Sequence, residues 1–174
     1  MTVGAITPSV DDLPILLNRA TGRTYAANVP VPPPVIPAKL HAYRYGNALQ
    51  AIPNNVVTVA LLGNVGTNND AGMVTGDRYI TVTKAATYLV IGRVHFAPNA
   101  AGVRRLMLRR SGAIVLSDND VGEAGTSHSL WCQRIVLGNV GDTFELFAWQ
   151  TSGGNLNIGN ADANFSNVLQ VIEL

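Results

Sequence analysis

From Lys39 onward, short runs rich in Val, Ile, Thr, Tyr and Phe alternate with turns rich in Gly and Asn. That alternation restricts the chain to an antiparallel sandwich or barrel. Strands are expected near residues 40–46, 56–62, 73–75, 78–83, 87–96, 103–110, 113–117, 127–137, 143–150 and 165–173. The turns between them are chemically explicit: Gly63-Asn64-Val65-Gly66, Pro98-Asn99-Ala100-Ala101-Gly102, Ser111-Gly112, Gly138-Asn139-Val140-Gly141-Asp142 and Ser152-Gly153-Gly154-Asn155. Gly and Asn supply the positive φ values that such turns need. The Gly-Asn-Val-Gly at 63–66 and again at 138–141 is one turn solution used twice, because the flanking residues do not match over a longer period. At 174 residues, the chain fits one domain with a short appendage.

The facing pattern of the strands says more. In 87–96, Tyr88, Val90, Val94 and Phe96 form one face, and Leu89, Ile91, Arg93 and His95 form the other. In 165–173, Phe165, Leu169 and Val171 alternate with Val168 and Ile172. In 56–62, Val57, Val59 and Leu61 alternate with Val56, Ala60 and Leu62. A lone antiparallel sandwich has one apolar and one polar face per sheet. Apolar residues on both faces, with no helices expected to cover the outer one, call for another subunit and closed symmetry. Leu89, Ile91, Val168, Ile172, Val56 and Leu62 are the residues expected at that subunit contact.

Residues 1–38 have a different texture and read as an irregular arm ahead of a β domain spanning 39–174. The run Val29-Pro30-Val31-Pro32-Pro33-Pro34-Val35-Ile36-Pro37 fixes φ and removes amide donors, so an extended polyproline II spacer is expected. Before it lies a short apolar patch, Leu13-Pro14-Ile15-Leu16-Leu17. It reads either as a loop folded back on the domain or as an anchor on another protein. As an anchor it would use Leu13, Ile15, Leu16, Leu17, Arg19, Arg23 and Tyr25.

Several ordered motifs within residues 39–174 resemble the C1q/TNF superfamily. They are Thr75-Gly76-Asp77-Arg78-Tyr79 followed by Ala86-Thr87-Tyr88-Leu89-Val90, then Leu106 to Gly112, then Leu137 to Asp142 with Phe144-Glu145-Leu146, and finally Asn164-Phe165-Ser166-Asn167-Val168-Leu169. Ala86 and Asn167 depart from the pattern, since the family usually has Gly at both places. The resemblance implies an all-β, ten-stranded antiparallel jelly roll, a homotrimer packed about its inner sheet, and a binding rather than a catalytic role. There is no Gly-x-y collagen stalk ahead of the domain. That suits the jelly rolls of tailed-bacteriophage capsid decorations, head fibres and receptor-binding tips better than a secreted C1q-like binding protein.

Composition narrows the remaining classes. Charged residues make up only 13%, against about 25% in ordinary domains. A net charge of +1 gives no field for nucleic acid or an anionic membrane. Ten of the twelve basic residues are Arg, with only Lys39 and Lys84 as Lys, and Arg suits planar interface pairs. Arg104, Arg105, Arg109 and Arg110 form the one basic cluster, but parity along a strand splits it between two faces. Residues 1–20 lack the basic and uninterrupted apolar regions of a secretory signal, and no run reaches a membrane span. Assembly in a cytoplasm is therefore expected.

Little chemistry stands out. His41, His95 and His128 show no metal spacing, Cys132 stands alone as a small buried residue, and Ser127-His128 lacks a nucleophile turn. Asp118-Asn119-Asp120 reads as an oxygen-rich loop of the ligand type calcium prefers, but the EF-hand pattern fails after Asp120 and such clusters are ordinary turn formers, so no metal is expected. No cofactor is expected. The leading expectation is a structural virion protein: a homotrimeric capsid decoration or head fibre at the virion surface, attached to the major capsid protein through residues 1–38. The alternative is a receptor- or glycan-binding module using loops near 97–102, 118–127 and 151–163.

Overall fold

The computed structural model describes residues 38–121, 127–159 and 166–174, together with two segments at 15–18 and 23–26. The chain divides into two units, Met1–Pro37 and Ala38–Leu174. In the first unit, β1 (Ile15–Asn18) and β2 (Arg23–Ala26) pair antiparallel, with Ile15 opposite Ala26 and Asn18 opposite Arg23. This corrects the expectation of a wholly irregular arm. Ile15, Leu16, Leu17, Thr24 and Tyr25 are good strand formers, and Gly22 stands in the four-residue connection. Leu13, Arg19 and the Pro-rich run lie outside the described residues.

The second unit is an all-β sandwich. Its strands are β3 (His41–Gly46), β4 (Gln50–Ile52), β5 (Thr58–Val59), β6 (Asn64–Asn68), β7 (Tyr79–Thr81), β8 (Ala86–Phe96), β9 (Val103–Arg110), β10 (Ala113–Val121), β11 (His128–Gly138), β12 (Thr143–Gln150), β13 (Leu156–Ile158) and β14 (Asn167–Glu173). Seven strands make one sheet, in which β8 is flanked by β11 on one side and β14 on the other, followed by β3 and β6; β13 and β4 extend its far end. Five strands make the other sheet, ordered β10-β9-β12, with β5 and β7 sharing the second edge of β12.

Alternation places one residue set of each strand between the sheets. Tyr88, Val90, Val94 and Phe96 of β8 are buried with Leu130, Cys132 and Val136 of β11 and Leu169 and Val171 of β14. They face Leu106 and Leu108 of β9 and Phe144, Leu146 and Ala148 of β12. Gly92 lets the sheets close: a Cβ there would lie 2.5 Å from Leu146 Cδ2 and 3.0 Å from Cys132 Sγ. Cys132 is buried, as a small apolar residue should be.

Four local readings are corrected. Residues 71–74 form a 3-10 turn rather than a strand, because Asp70 caps it by accepting from Gly72 N. Asn64–Asn68, expected as a turn, pairs with β3. Leu156–Ile158, expected within an end loop, pairs with β4. Asp118-Asn119-Asp120 is not a loop but strand backbone, opposite Leu106, Arg105 and Arg104.

Two buried arginines fix connections. Arg44 donates to Leu62 O at 2.8 Å and to Val74 O at 2.7 Å. Arg104, fully buried, donates to Ala101 O and Asn99 O at the β8–β9 loop. Arg44 therefore pins the segment after β5 against the sandwich and turns Leu62 into the core, where it has no exposed surface. Leu62 is thus a core residue and not a subunit contact, which corrects its assignment.

Candidate functional site

Register across β11, β8, β14 and β3 builds one outward face in rows. Ile135, Leu89, Ile172 and His41 form the first row. Gln133, Ile91, Gln170 and Tyr43 form the second, and Trp131, Arg93, Val168 and Tyr45 the third. Ser129 and His95 follow. The face runs from apolar at one end to polar at the other.

The β11 side of this face lacks cover. Trp131 is 53% exposed, Ile135 62% and Leu137 66%. A shallow hollow of about 300 Å³ opens between Ile91, Trp131, Cys132 and Gln133. Tyr43 and Tyr45 stack at 5.7 Å. At the polar end, Arg93 donates to Ser166 O and Oγ, while His95 N–H donates to Asn167 Oδ1 and its Nδ1 lies 2.9 Å from Ser129 Oγ. Burial, then Arg93, then His128, pushes the His95 imidazole below its ordinary value. The His95–Ser129 contact joins two regular strands and stands on no strained nucleophile turn.

The outward face of the five-stranded sheet is built differently. Its aromatic rings are capped by cations: Arg105 lies over Trp149 at 5.2 Å and Arg109 over Phe147 at 4.1 Å. Between them Met107 is only 3% exposed. Arginine stems cover apolar surface while keeping charge in water, so this face is compatible with solvent as it stands.

Of the residues expected at a subunit contact, Leu89, Ile91, Val168 and Ile172 come together on the first face. Val56 does not: it is exposed in the connection before β5, away from these rows. Trp131, Ile135 and Leu137 were missed. The signal was present, since Trp131, Ile135 and Leu137 alternate with Leu130, Cys132 and Val136, which is the same two-faced pattern as β8. Parity had also separated the arginines correctly, with 104 turned inward and 105 and 109 outward. Among the described residues no group of three His, Cys, Asp or Glu could hold a metal ion, and no helix is long and apolar enough to cross a membrane.

No family model matches the chain, and no curated protein matches it in sequence. Solved structures do match in shape. The Eiger TNF structure from S. frugiperda superposes with a TM-score of 0.63 at 11% identity, covering 78% of this chain and 92% of that one. Murine APRIL at pH 5.0 gives 0.63 at 11% identity, covering 79% and 100%. The globular domain of the zebrafish complement 1qA protein gives 0.56 at 13% identity, covering 78% and 98%. At these identities the likeness is one of fold, and the fold is a C1q/TNF-like antiparallel jelly roll.

Proposed function

We propose that the chain is a non-enzymatic homotrimeric module that buries the outward face of its seven-stranded sheet against two further copies. One observation carries this reading: Trp131, Ile135 and Leu137 are each more than half exposed on a face that continues through Leu89, Ile91 and Ile172. Apolar patches of this kind mark association sites. The other sheet needs no such cover, because Arg105 and Arg109 already cap its rings. The jelly-roll fold supports the same reading, since the C1q/TNF resemblance of the sequence implies a trimer. Sedimentation equilibrium of the full chain should return three times the 18.4 kDa protomer mass. A monomer at micromolar concentration would overturn the proposal.

In its finer form, the module is a capsid decoration or head fibre of a tailed bacteriophage, assembled in the host cytoplasm and displayed at the virion surface. Residues 1–38 would hold the major capsid protein, with Ile15, Leu16, Leu17, Arg23 and Tyr25 carried on the β1–β2 hairpin and Leu13 and Arg19 beside it in sequence. The Pro-rich run would act as a stiff spacer. Removing residues 1–37 should leave a trimer that no longer binds particles; retained binding would sink the anchor. A receptor- or glycan-binding role at the sandwich end is the second reading. It is supported by the 97–102 loop, which Arg104 and the Asn99 side chain hold in one shape.

A further inference from the structure

The Gly-Asn pairs at Gly46-Asn47 and Gly63-Asn64 stand on two walls of one cleft. Gly46 to Gln50 make one wall and Leu61, Gly63 and Asn64 the other, around a volume of about 300 Å³. The Gln50 carboxamide ties the walls together, donating through Nε2 to Val59 O at 2.7 Å and accepting from Leu61 N at 2.9 Å. Gly46 lets them touch: a Cβ there would lie 2.0 Å from Leu61 O. A second carboxamide pair crosses the cleft, with Asn64 Nδ2 donating to Asn47 Oδ1 at 3.0 Å. A side-chain amide has two N–H donors and one acceptor oxygen. Asn47 therefore keeps both its N–H groups and Asn64 keeps its oxygen, with no other partner among the described residues. Leu49 and Leu61, 65% and 49% exposed, supply an aliphatic rim. Among the described lining residues none is charged and none is His or Cys.

We propose that this cleft binds a neutral sugar unit through two adjacent hydroxyls. The site rests on the glycan-binding reading and deepens it. β8 ends at Phe96, which pairs with Ile158, and Ile158 pairs with Gln50, so the cleft lies at the same end of the sandwich as the 97–102 loop. The free groups decide the ligand class. A hydroxyl both donates and accepts, so neighbouring hydroxyls answer the Asn47 donors and the Asn64 acceptor together. A carboxylate or phosphate oxygen only accepts and would face the Asn64 oxygen; an ammonium only donates and would face the Asn47 N–H groups. No charge in the described lining offsets the desolvation of either ion. A peptide strand needs a run of backbone partners, and the Gln50 backbone is already held in the β4–β13 ladder. The aliphatic rim meets the C–H surface of a pyranose ring. Because Gln50 ties the walls, little ordering is needed on binding. A ligand of about a dozen heavy atoms in such a cleft binds with a Kd of about a millimolar.

The test is saturation-transfer NMR and titration of the full chain with methyl glycosides of glucose, galactose, mannose and fucose. Glucuronic acid and the peptide surrogate N-acetyl-leucine methylamide run alongside. At least one neutral glycoside should bind, and neither control should. Asn47→Asp keeps the bond from Asn64 and removes the two donors, so it should weaken binding about tenfold. Gly63→Leu should abolish binding: a Cβ at Gly63 meets nothing within 4 Å, so the side chain fills the cleft without disturbing the fold. Asn139→Asp adds the same charge in the β11–β12 turn, beyond the other end of β8, and should bind as the parent does. Melting curves of the three variants should match the parent; if Gly63→Leu unfolds, Asn47→Asp carries the test. Glycoside binding that both cleft variants retain would overturn this site and leave the glycan-binding reading standing. Failure of every glycoside to bind the parent would overturn that reading and the site with it. Binding of the peptide surrogate as tight as that of the glycoside would overturn the site as well.

Discussion

The guanidinium of Arg93 lies 4.9 Å from the centre of the Trp131 ring, directly across the β8–β11 ladder. Arg93 is itself held from the β14 side, where Ser166 O accepts from its Nε at 2.9 Å. A fixed cation thus holds a large ring whose surface is still 53% exposed. Such a rigid aromatic is what an interface anchor needs. Trp131→Ala should therefore weaken trimer association by about 2 kcal/mol or more per contact, roughly a 30-fold change. Far-ultraviolet circular dichroism should stay unchanged. Sedimentation velocity over a dilution series reads the effect, and a mass distribution identical to the parent would count against the anchor.

Ile135→Asp tests the same face by adding a charge rather than removing area. Ile135 is 62% exposed, so in the single protomer a carboxylate there keeps most of its contact with water. Burying an unpaired charge between copies costs several kcal/mol. The variant should be a folded monomer, melting within a few degrees of the isolated parent protomer. A trimer of parental stability would show that β11 lies outside the contact.

The β class, most long strands and the two-faced pattern of β8 were legible because side-chain alternation is a local property of the sequence. Leu62 was not. Its apolar character fits either face, and only the reach of Arg44 to its carbonyl decides that it turns inward. The short strands β4, β6 and β13 were hidden for a similar reason. They hold three or four ladder pairs each, supplied by β3, by β8 and by each other rather than by their own propensity. The Arg–aromatic face escaped notice because Arg105 and Trp149 are far apart in sequence and meet only through the β9–β12 register.

Gly102 should be the least replaceable residue of the β8–β9 loop. Its φ is +74°, and a Cβ there would sit 2.0 Å from Thr151 O. Both the backbone conformation and the contact oppose a side chain, and the two nearest atoms belong to the Thr151 backbone, which cannot swing aside. Gly102→Ala should lower stability by about 2–4 kcal/mol. Gly92→Ala meets the tip of Leu146, which can shift, and should cost about 1–3 kcal/mol. Urea denaturation of the two variants checks the order; a smaller loss at Gly102 would refute it.

Acid should destabilise the fold in two separate windows. His95 is 4% exposed, and burial, Arg93 and His128 hold its imidazole below the ordinary value of about 6.5. Between that value and the depressed one the unfolded chain binds more protons than the folded one. Stability therefore falls as pH drops below about 6.5. The second window is lower. Glu173 accepts hydrogen bonds from Lys84 Nζ and Leu40 N, which depress its carboxyl against an opposing effect of burial. Asp142 is depressed likewise, first by the backbone N–H of Asn139, with Ser111 and Arg110 adding to it. The contribution of these carboxylates is complete above the ordinary range near about 4 and is lost as pH falls through their depressed values. Thermal melts from pH 8 to pH 3 should show both limbs. His95→Gln should flatten the upper limb and leave the lower one. Glu173→Gln should reduce the lower limb, leave the upper one, and lower stability at pH 7, because the bonds tying Glu173 to Lys84 and Leu40 are weakened at every pH. If His95→Gln leaves the upper limb unchanged, some group other than His95 titrates there.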